Sequence, residues 1–200
     1  RWNVLVCHRR FGKTVCMINH LIRSALLSKQ KNPRYAYIAP TFKQAKSIAW
    51  DYMKQFTAKI PHTKFNETEL RVDLPNGARI TLLGSESPDG LRGIYLDGCV
   101  IDEYANVNSK LFPEIIRPAL SDRKGYCVFI GTPMGMNNNF YELYQHAQGA
   151  EDWFNYKAKA SDTKIVDDDE LVKAKEVMGE KKYNQEFECD WIANIEGAVY

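Results

Sequence analysis

The sequence predicts an α/β fold, with a mostly parallel central sheet flanked by helices and a small helical subdomain towards its C-terminal end. Three observations lead there. Residues 3–7 (NVLVC), 35–39 (YAYIA), 98–101 (GCVI) and 126–130 (YCVFI) are apolar at nearly every position, as strands covered on both faces are. Stretches with helical spacing separate them. The first of these strands runs straight into Gly12-Lys13-Thr14 and a helix, the kind of junction on which phosphate-binding loops are built.

Each element follows in turn. Residues 13–27 place Val15, Ile18, Leu21, Ile22 and Ala25 on one helical stripe. Pro40 ends the strand at 35–39, and Thr41 with Gln44 starts a helix running to about residue 59. Pro75-Asn76-Gly77, between residues 70–74 and 78–83, signals a hairpin. Residues 111–120 read as helical despite Pro113 and Pro118. Beyond Ala150 the style changes: 153–160 (WFNYKAKA) reads as one more strand, 167–178 as a helix with an acidic start, and 182–191 as another. The DDDE run at 167–170 is a helix-start charge cluster, because carboxylates there face the positive end of the helix dipole. The expected division is a core over residues 1–150 and a helical linker subdomain over 151–200.

Composition narrows the class. With 44% hydrophobic and 26% charged residues, the 200-residue chain reads as one sizeable globular domain. No apolar run approaches the roughly 20 residues that a membrane-spanning helix needs, so no membrane partner is expected. Cys7, Cys16, Cys99, Cys127 and Cys189 are odd in number and lack CxxC spacing. They read as small buried thiols and not as a disulfide framework or zinc site. His8, His20, His62 and His146 form no metal-ligand spacing. Residues 1–150 carry 20 Lys+Arg against 12 Asp+Glu, a net +8, while residues 151–200 carry 7 against 13, or −6. The basic body suits a polyanionic partner, and a solvated lysine face would give the same balance. Arg1-Trp2-Asn3 stands directly before a strand, which reads as the start of a fragment.

The chemistry sits at three strand ends. In HRRFGKT (8–14), backbone N–H groups of the loop converge on phosphate oxygens, Lys13 reaches the β and γ phosphates, and the Thr14 hydroxyl ligates Mg²⁺. Gly12 keeps the backbone close to the phosphates. Cys7 stands where the usual first glycine would be, a position that tolerates a side chain if its φ stays negative. GCVIDEYA (98–105) ends a strand in two acids. Phosphoryl transfer needs one carboxylate towards the metal and one to orient water, jobs that fall to Asp102 and Glu103. FIGTPMG (129–135) brings Thr132 to the same carboxyl edge of the sheet, where its hydroxyl meets the γ phosphate or the attacking water. Each motif alone fits an ordinary turn or helix cap. Three converging on one edge do not.

In that order and spacing, HRRFGKT (8–14), YIAPTFKQA (37–45), GLRGIYLDGCVIDEYA (90–105), FIGTPMG (129–135) and QEFECDWIANIEGAVY (185–200) resemble the ATPase domain of the large terminase subunit of tailed bacteriophages. The resemblance implies a P-loop ASCE-type ATPase core, with ATP and Mg²⁺ as cofactors. It implies that Arg9, Arg10, Phe11, Gly12, Lys13 and Thr14 bind the nucleotide, that Thr14 and Asp102 hold the metal, and that Glu103 is the catalytic base. Thr132 lies in the motif that couples hydrolysis to DNA movement. Arg9 matches a loop arginine proposed to act in cis, and Arg92 lies where some relatives supply a finger to the neighbouring subunit. Arg10 also reads as a solvent-facing or DNA-facing side chain. Lys43, Lys46, Lys54 and Lys59 could meet DNA phosphate, although helical spacing does not align all four.

The implied partners are double-stranded DNA, the portal protein, the small terminase subunit and further copies in a ring, typically a pentamer, on an assembling procapsid in the host cytoplasm. The family's adenine-contacting segment precedes the first strand, and its metal-dependent nuclease domain follows the linker, so both are expected outside this sequence. Two other readings compete: a superfamily 2 helicase-like DNA-dependent ATPase fragment, and a non-hydrolysing nucleotide-dependent scaffold. The first lacks the arginine-bearing motif of a second motor lobe, and the second has no need of Glu103.

Overall fold

The computed structural model describes residues 1–192. Strands β1 (Trp2–Cys7), β2 (Arg34–Ala39), β3 (Lys64–Asn66), β4 (Arg71–Asp73), β5 (Arg79–Gly84), β6 (Gly98–Ile101), β7 (Tyr126–Gly131) and β8 (Trp153–Ala158) form one sheet, ordered β3-β4-β5-β2-β6-β7-β1-β8. Every pairing from β5 through to β8 is parallel, and β3 and β4 add antiparallel edge strands. The sheet continues past the expected division at Ala150, because β8 pairs with β1 from Trp2↔Trp153 to Cys7↔Ala158. The helices α6 (Ala160–Thr163), α7 (Asp168–Met178) and α8 (Glu180–Glu186) follow it.

Period-2 alternation explains why the central strands are apolar throughout. Tyr35, Tyr37 and Ala39 face one cluster, where they meet Ile18, Leu21 and Ile22 of α1 (Lys13–Leu27). Ala36 and Ile38, alternating with them, face the other, beside Phe129 and Ile116. The same split divides Val128 and Ile130 from Cys127 and Phe129 on β7. The first cluster is closed by α2 (Phe42–Ala45), a π-helical turn at Lys46–Trp50, and α3 (Asp51–Thr57). A π-helical turn at Phe112–Ile116, α4 (Arg117–Ser121) and α5 (Asn139–Gly149) lie on the second side.

Local signals account for the ends. Thr41 and Gln44 form a reciprocal capping box at the start of α2. Gly77, at φ 82, turns the β4–β5 hairpin, and Leu74 N–H donates to the Ala78 carbonyl at 2.8 Å. The helix expected over 182–191 instead stops at Glu186, because Cys189 takes φ 53 and Asp190 N–H turns back to the Asn184 carbonyl. Cys16 is exposed, contrary to the buried thiol expected, since Met17, Ile18, Leu21, Ile22 and Ala25 define the buried side of α1. The other four cysteines are buried. Among the described residues, no helix is long and apolar enough to cross a membrane and no cluster of three or more potential metal-binding side chains exists.

Candidate active site

Strand order creates the site. β7 lies between β1 and β6, so the loop after β1, the acids after β6 and Thr132 after β7 emerge at neighbouring points of one edge. They border a cleft of about 640 Å³ lined by Arg9 to Thr14, Glu103 and Thr132, among others. This is the carboxyl edge at which ligands of open parallel sheets bind.

The loop conformation follows from its residues. Cys7 ends β1 with a negative φ, so its side chain costs nothing there. Arg10 (φ 70) and Gly12 (φ 86) take left-handed conformations that turn the chain into α1. No protein atom lies within 4 Å of where a Gly12 Cβ would stand, so the dihedral and not crowding demands glycine. Lys13 Nζ donates to the carbonyls of Cys7 and His8 at 2.9 and 3.0 Å, which holds the ammonium across the loop.

Asp102 is 3% exposed at the end of β6, where its N–H donates to the Ile38 carbonyl at 2.8 Å. One carboxylate oxygen accepts from the Glu103 N–H at 2.8 Å, and the other accepts the Tyr37 hydroxyl. The Thr14 hydroxyl interacts with both Asp102 and Tyr37. Burial raises the Asp102 carboxyl above its ordinary range, opposed by Tyr37, the Glu103 N–H, Lys13 and Thr14. Glu103 is also raised, by burial first and then by the adjacent Asp102. Its φ of 47 is left-handed, a strained backbone of the kind found where a side chain must be aimed.

Most of the expected site residues share the cleft, with differences in setting. Asp102 is buried and is not itself among the cleft-lining residues, with its carboxyl influenced by Thr14, which is, and Thr132, 8% exposed, lines the cleft. Arg9 and Arg10 are exposed, and Arg9 Nη1 lies 4.0 Å from Glu186. Arg92 is exposed and is not among the cleft residues of its own chain. Lys43, Lys46 and Lys54 share a groove with Trp50 and Glu67, while Lys59 is not among its residues. Residues 193–200, which complete the last quoted motif, lie outside the described residues.

Several side chains escaped the sequence reading. Tyr37 reads locally as an ordinary strand residue; only the β2–β6 pairing brings it to Asp102. His8 is wholly buried in the loop. Its Nδ1 lies 2.6 Å from the Arg9 carbonyl, which can only accept, so Nδ1 carries the proton and Nε2 accepts from the Thr163 hydroxyl at 2.8 Å. Burial lowers the imidazole pKa and keeps the ring neutral. Lys182, Gln185 and Glu186 of α8, together with Ile48 and Tyr52, also line the cleft.

Residues 6–200 match the family model for the terminase large subunit, T4likevirus-type, N-terminal. Large terminase subunits of Thermus phage G20c and Thermus virus P23-45 are each 30% identical over 126 residues, covering 54% of this chain and 26% of those proteins. The match therefore spans about a quarter of the length of those relatives. The ATPase domain of the Thermus phage P74-26 large terminase has a TM-score of 0.78 at 20% identity, covering 96% of this chain and 88% of that one. The large terminase of another thermophilic bacteriophage, in complex with ADP, has a TM-score of 0.81 at 15% identity over 95% and 48% of the two chains. These likenesses establish the α/β fold.

Proposed function

The chain belongs to the terminase large subunit family, and from that premise we propose that it is an ATP-hydrolysing motor domain that drives double-stranded viral DNA into a procapsid. The observation that carries this reading is the meeting of Lys13, Thr14, Glu103 and Thr132 at one cleft, with Asp102 directly behind it. The ADP complex of the thermophilic-phage terminase supports a nucleotide as the ligand.

The donor set fits Mg²⁺: a buried carboxylate and a hydroxyl are hard oxygen ligands. Thr14 and Asp102 would hold it, and it would supply positive charge to offset that of the phosphates. Lys13 exchanges the Cys7 and His8 carbonyls for phosphate oxygens. Glu103, aimed by its left-handed backbone, orients the attacking water and takes its proton. Burial raises its basicity towards that task. Thr132 contacts the γ phosphate or the water. Arg9 stabilises the developing charge in cis, while Arg92 serves a neighbouring subunit's cleft.

The helices after β8 act as a linker to a metal-dependent nuclease domain. The same reading supplies the portal protein, the small terminase subunit and a pentameric ring at the procapsid vertex in the host cytoplasm.

Hydrolysis tests the proposal. The wild type turns over ATP with Mg²⁺, and Glu103→Gln binds ATP while its turnover falls by about 10²- to 10⁴-fold, the worth of a positioned general base. Turnover close to wild type in Glu103→Gln would remove Glu103 from its role.

A further inference from the structure

A carboxylate swings easily about its last torsion unless neighbours hold it. Asp102 is held from two sides. Its own chain supplies one donor, the Glu103 N–H at 2.8 Å. The other comes from a different strand: the Tyr37 hydroxyl of β2 donates to the second carboxylate oxygen. Both donors are neutral, so they fix the carboxylate without cancelling its charge.

Sheet geometry makes the second bond. Strands β2 and β6 are parallel neighbours, with Tyr37 opposite Val100. Both side chains pack on the α1 side of the sheet, and period-2 alternation returns Asp102, two residues after Val100, to that side. A strand side chain leans along its strand, and the phenol is long enough to carry its oxygen that far. The Tyr37 ring is wholly buried among apolar neighbours, a setting that phenylalanine would fill as well. The core therefore has no use for the hydroxyl, and Asp102 does. Thr14 joins the arrangement, because its hydroxyl interacts with both Tyr37 and Asp102. Tyr35, two residues earlier on the same side, gives the contrast: its hydroxyl donates to the Ser24 carbonyl at 3.1 Å and ties the strand to α1.

We propose, on the nucleotide reading of the cleft, that Tyr37 is a positioning residue for the divalent cation, holding the Asp102 carboxylate and the Thr14 hydroxyl in one orientation that favours Mg²⁺ over the larger Ca²⁺. Mg²⁺ demands near-ideal octahedral ligand geometry, whereas Ca²⁺ accepts flexible ligands. A carboxylate fixed by a second strand suits the stricter ion. Groups that orient a metal ligand in this way are worth about 10- to 100-fold in metal affinity.

The test titrates Mg²⁺, and separately Ca²⁺, into the protein with ATP-γ-S, reading binding by displacement of a fluorescent nucleotide. Tyr37→Phe should need about 10- to 100-fold more Mg²⁺ for half-saturation, with a clearly smaller rise for Ca²⁺. Tyr35→Phe should keep the wild-type requirement for both ions. In chelator, without either ion, Tyr37→Phe should bind the nucleotide as the wild type does, since Lys13 and its loop are untouched. In an Asp102→Asn background Tyr37→Phe should add little, because the two residues act as one unit. An unchanged Mg²⁺ requirement in folded Tyr37→Phe would overturn the proposal, as would an equal rise for both ions or an undiminished effect beside Asp102→Asn. Should Tyr37→Phe fail to fold, 3-fluorotyrosine in place of Tyr37 keeps the hydroxyl and decides the matter. Its fluorine resonance should shift when Mg²⁺ is added to the nucleotide complex, and an unmoved resonance would overturn the proposal. Failure of the wild type to bind the nucleotide overturns the nucleotide reading; binding whose Mg²⁺ requirement ignores Tyr37 overturns this inference alone.

Discussion

The strand ends carrying Lys13, Asp102 and Thr132 and the helices carrying Glu186 meet at one cleft but stand on different foundations. The strand ends issue from a sheet buried on both faces, with Tyr37, Ile38, Phe129 and Ile101 all fully buried. Beyond β8, the helices pack around a small separate cluster whose buried hydrophobics, among the described residues, are Ala160, Leu171 and Phe187. The difference assigns the work. Groups at the strand ends are fixed by packing from two sides, whereas Lys182 and Glu186 sit on the lightly packed segment.

Cutting into each foundation tests the contrast. Phe129→Ala should cost about 3–5 kcal/mol in chemical denaturation, within a single cooperative transition. Leu171→Ala should cost about 2 kcal/mol, read as faster hydrogen exchange in α7 and α8 while β1, β6 and β7 stay protected. Equal global losses from the two variants would erase the distinction.

A smaller effect lies at the seam. His8 has a folded pKa lowered from 6.5 by burial, so the unfolded chain binds the proton more readily. Its contribution to stability is full above that value and is lost as the pH falls through it towards the folded pKa. Thermal melting of the wild type should therefore drop more than that of His8→Asn as the pH is lowered from about 7.5 to about 5.5, a span that brackets the unfolded value. Parallel curves would take His8 out of the seam. Least disruptive is thiol labelling. Cys16 should react in the native protein, and the other four cysteines only after unfolding. Burial supports this, for instance by pushing the Cys7 thiol up to about 11.

What the sequence made legible depends on how local the cause is. The helix at Lys13–Leu27 and the strand at Gly98–Ile101 could be read to the residue, because periodicity and apolar runs are local signals. The Thr41–Gln44 box was likewise local. Helix α5 went unread although its signal was present: Asn138 caps it, and Phe140, Leu143, Tyr144 and Ala147 recur at helical spacing. Strand β3, with three residues at a sheet edge, buries too little to show a pattern. The π-helical turns leave no simple periodic mark.

The site divides the same way. Lys13, Thr14, Asp102, Glu103 and Thr132 announce themselves through motifs at strand ends. Tyr37 and Glu186 fall inside the quoted 37–45 and 185–200 stretches, but only tertiary contacts bring their side chains to the site.

The most direct measurement is a crystal structure with Mg²⁺ and a non-hydrolysable ATP analogue. The account predicts Lys13 Nζ released from the carbonyls of Cys7 and His8 and bonded to the γ phosphate, with Asp102 and Thr14 around the metal and Glu103 and Thr132 facing the γ phosphate. An analogue seated elsewhere, with Lys13 still on its own loop, would contradict it.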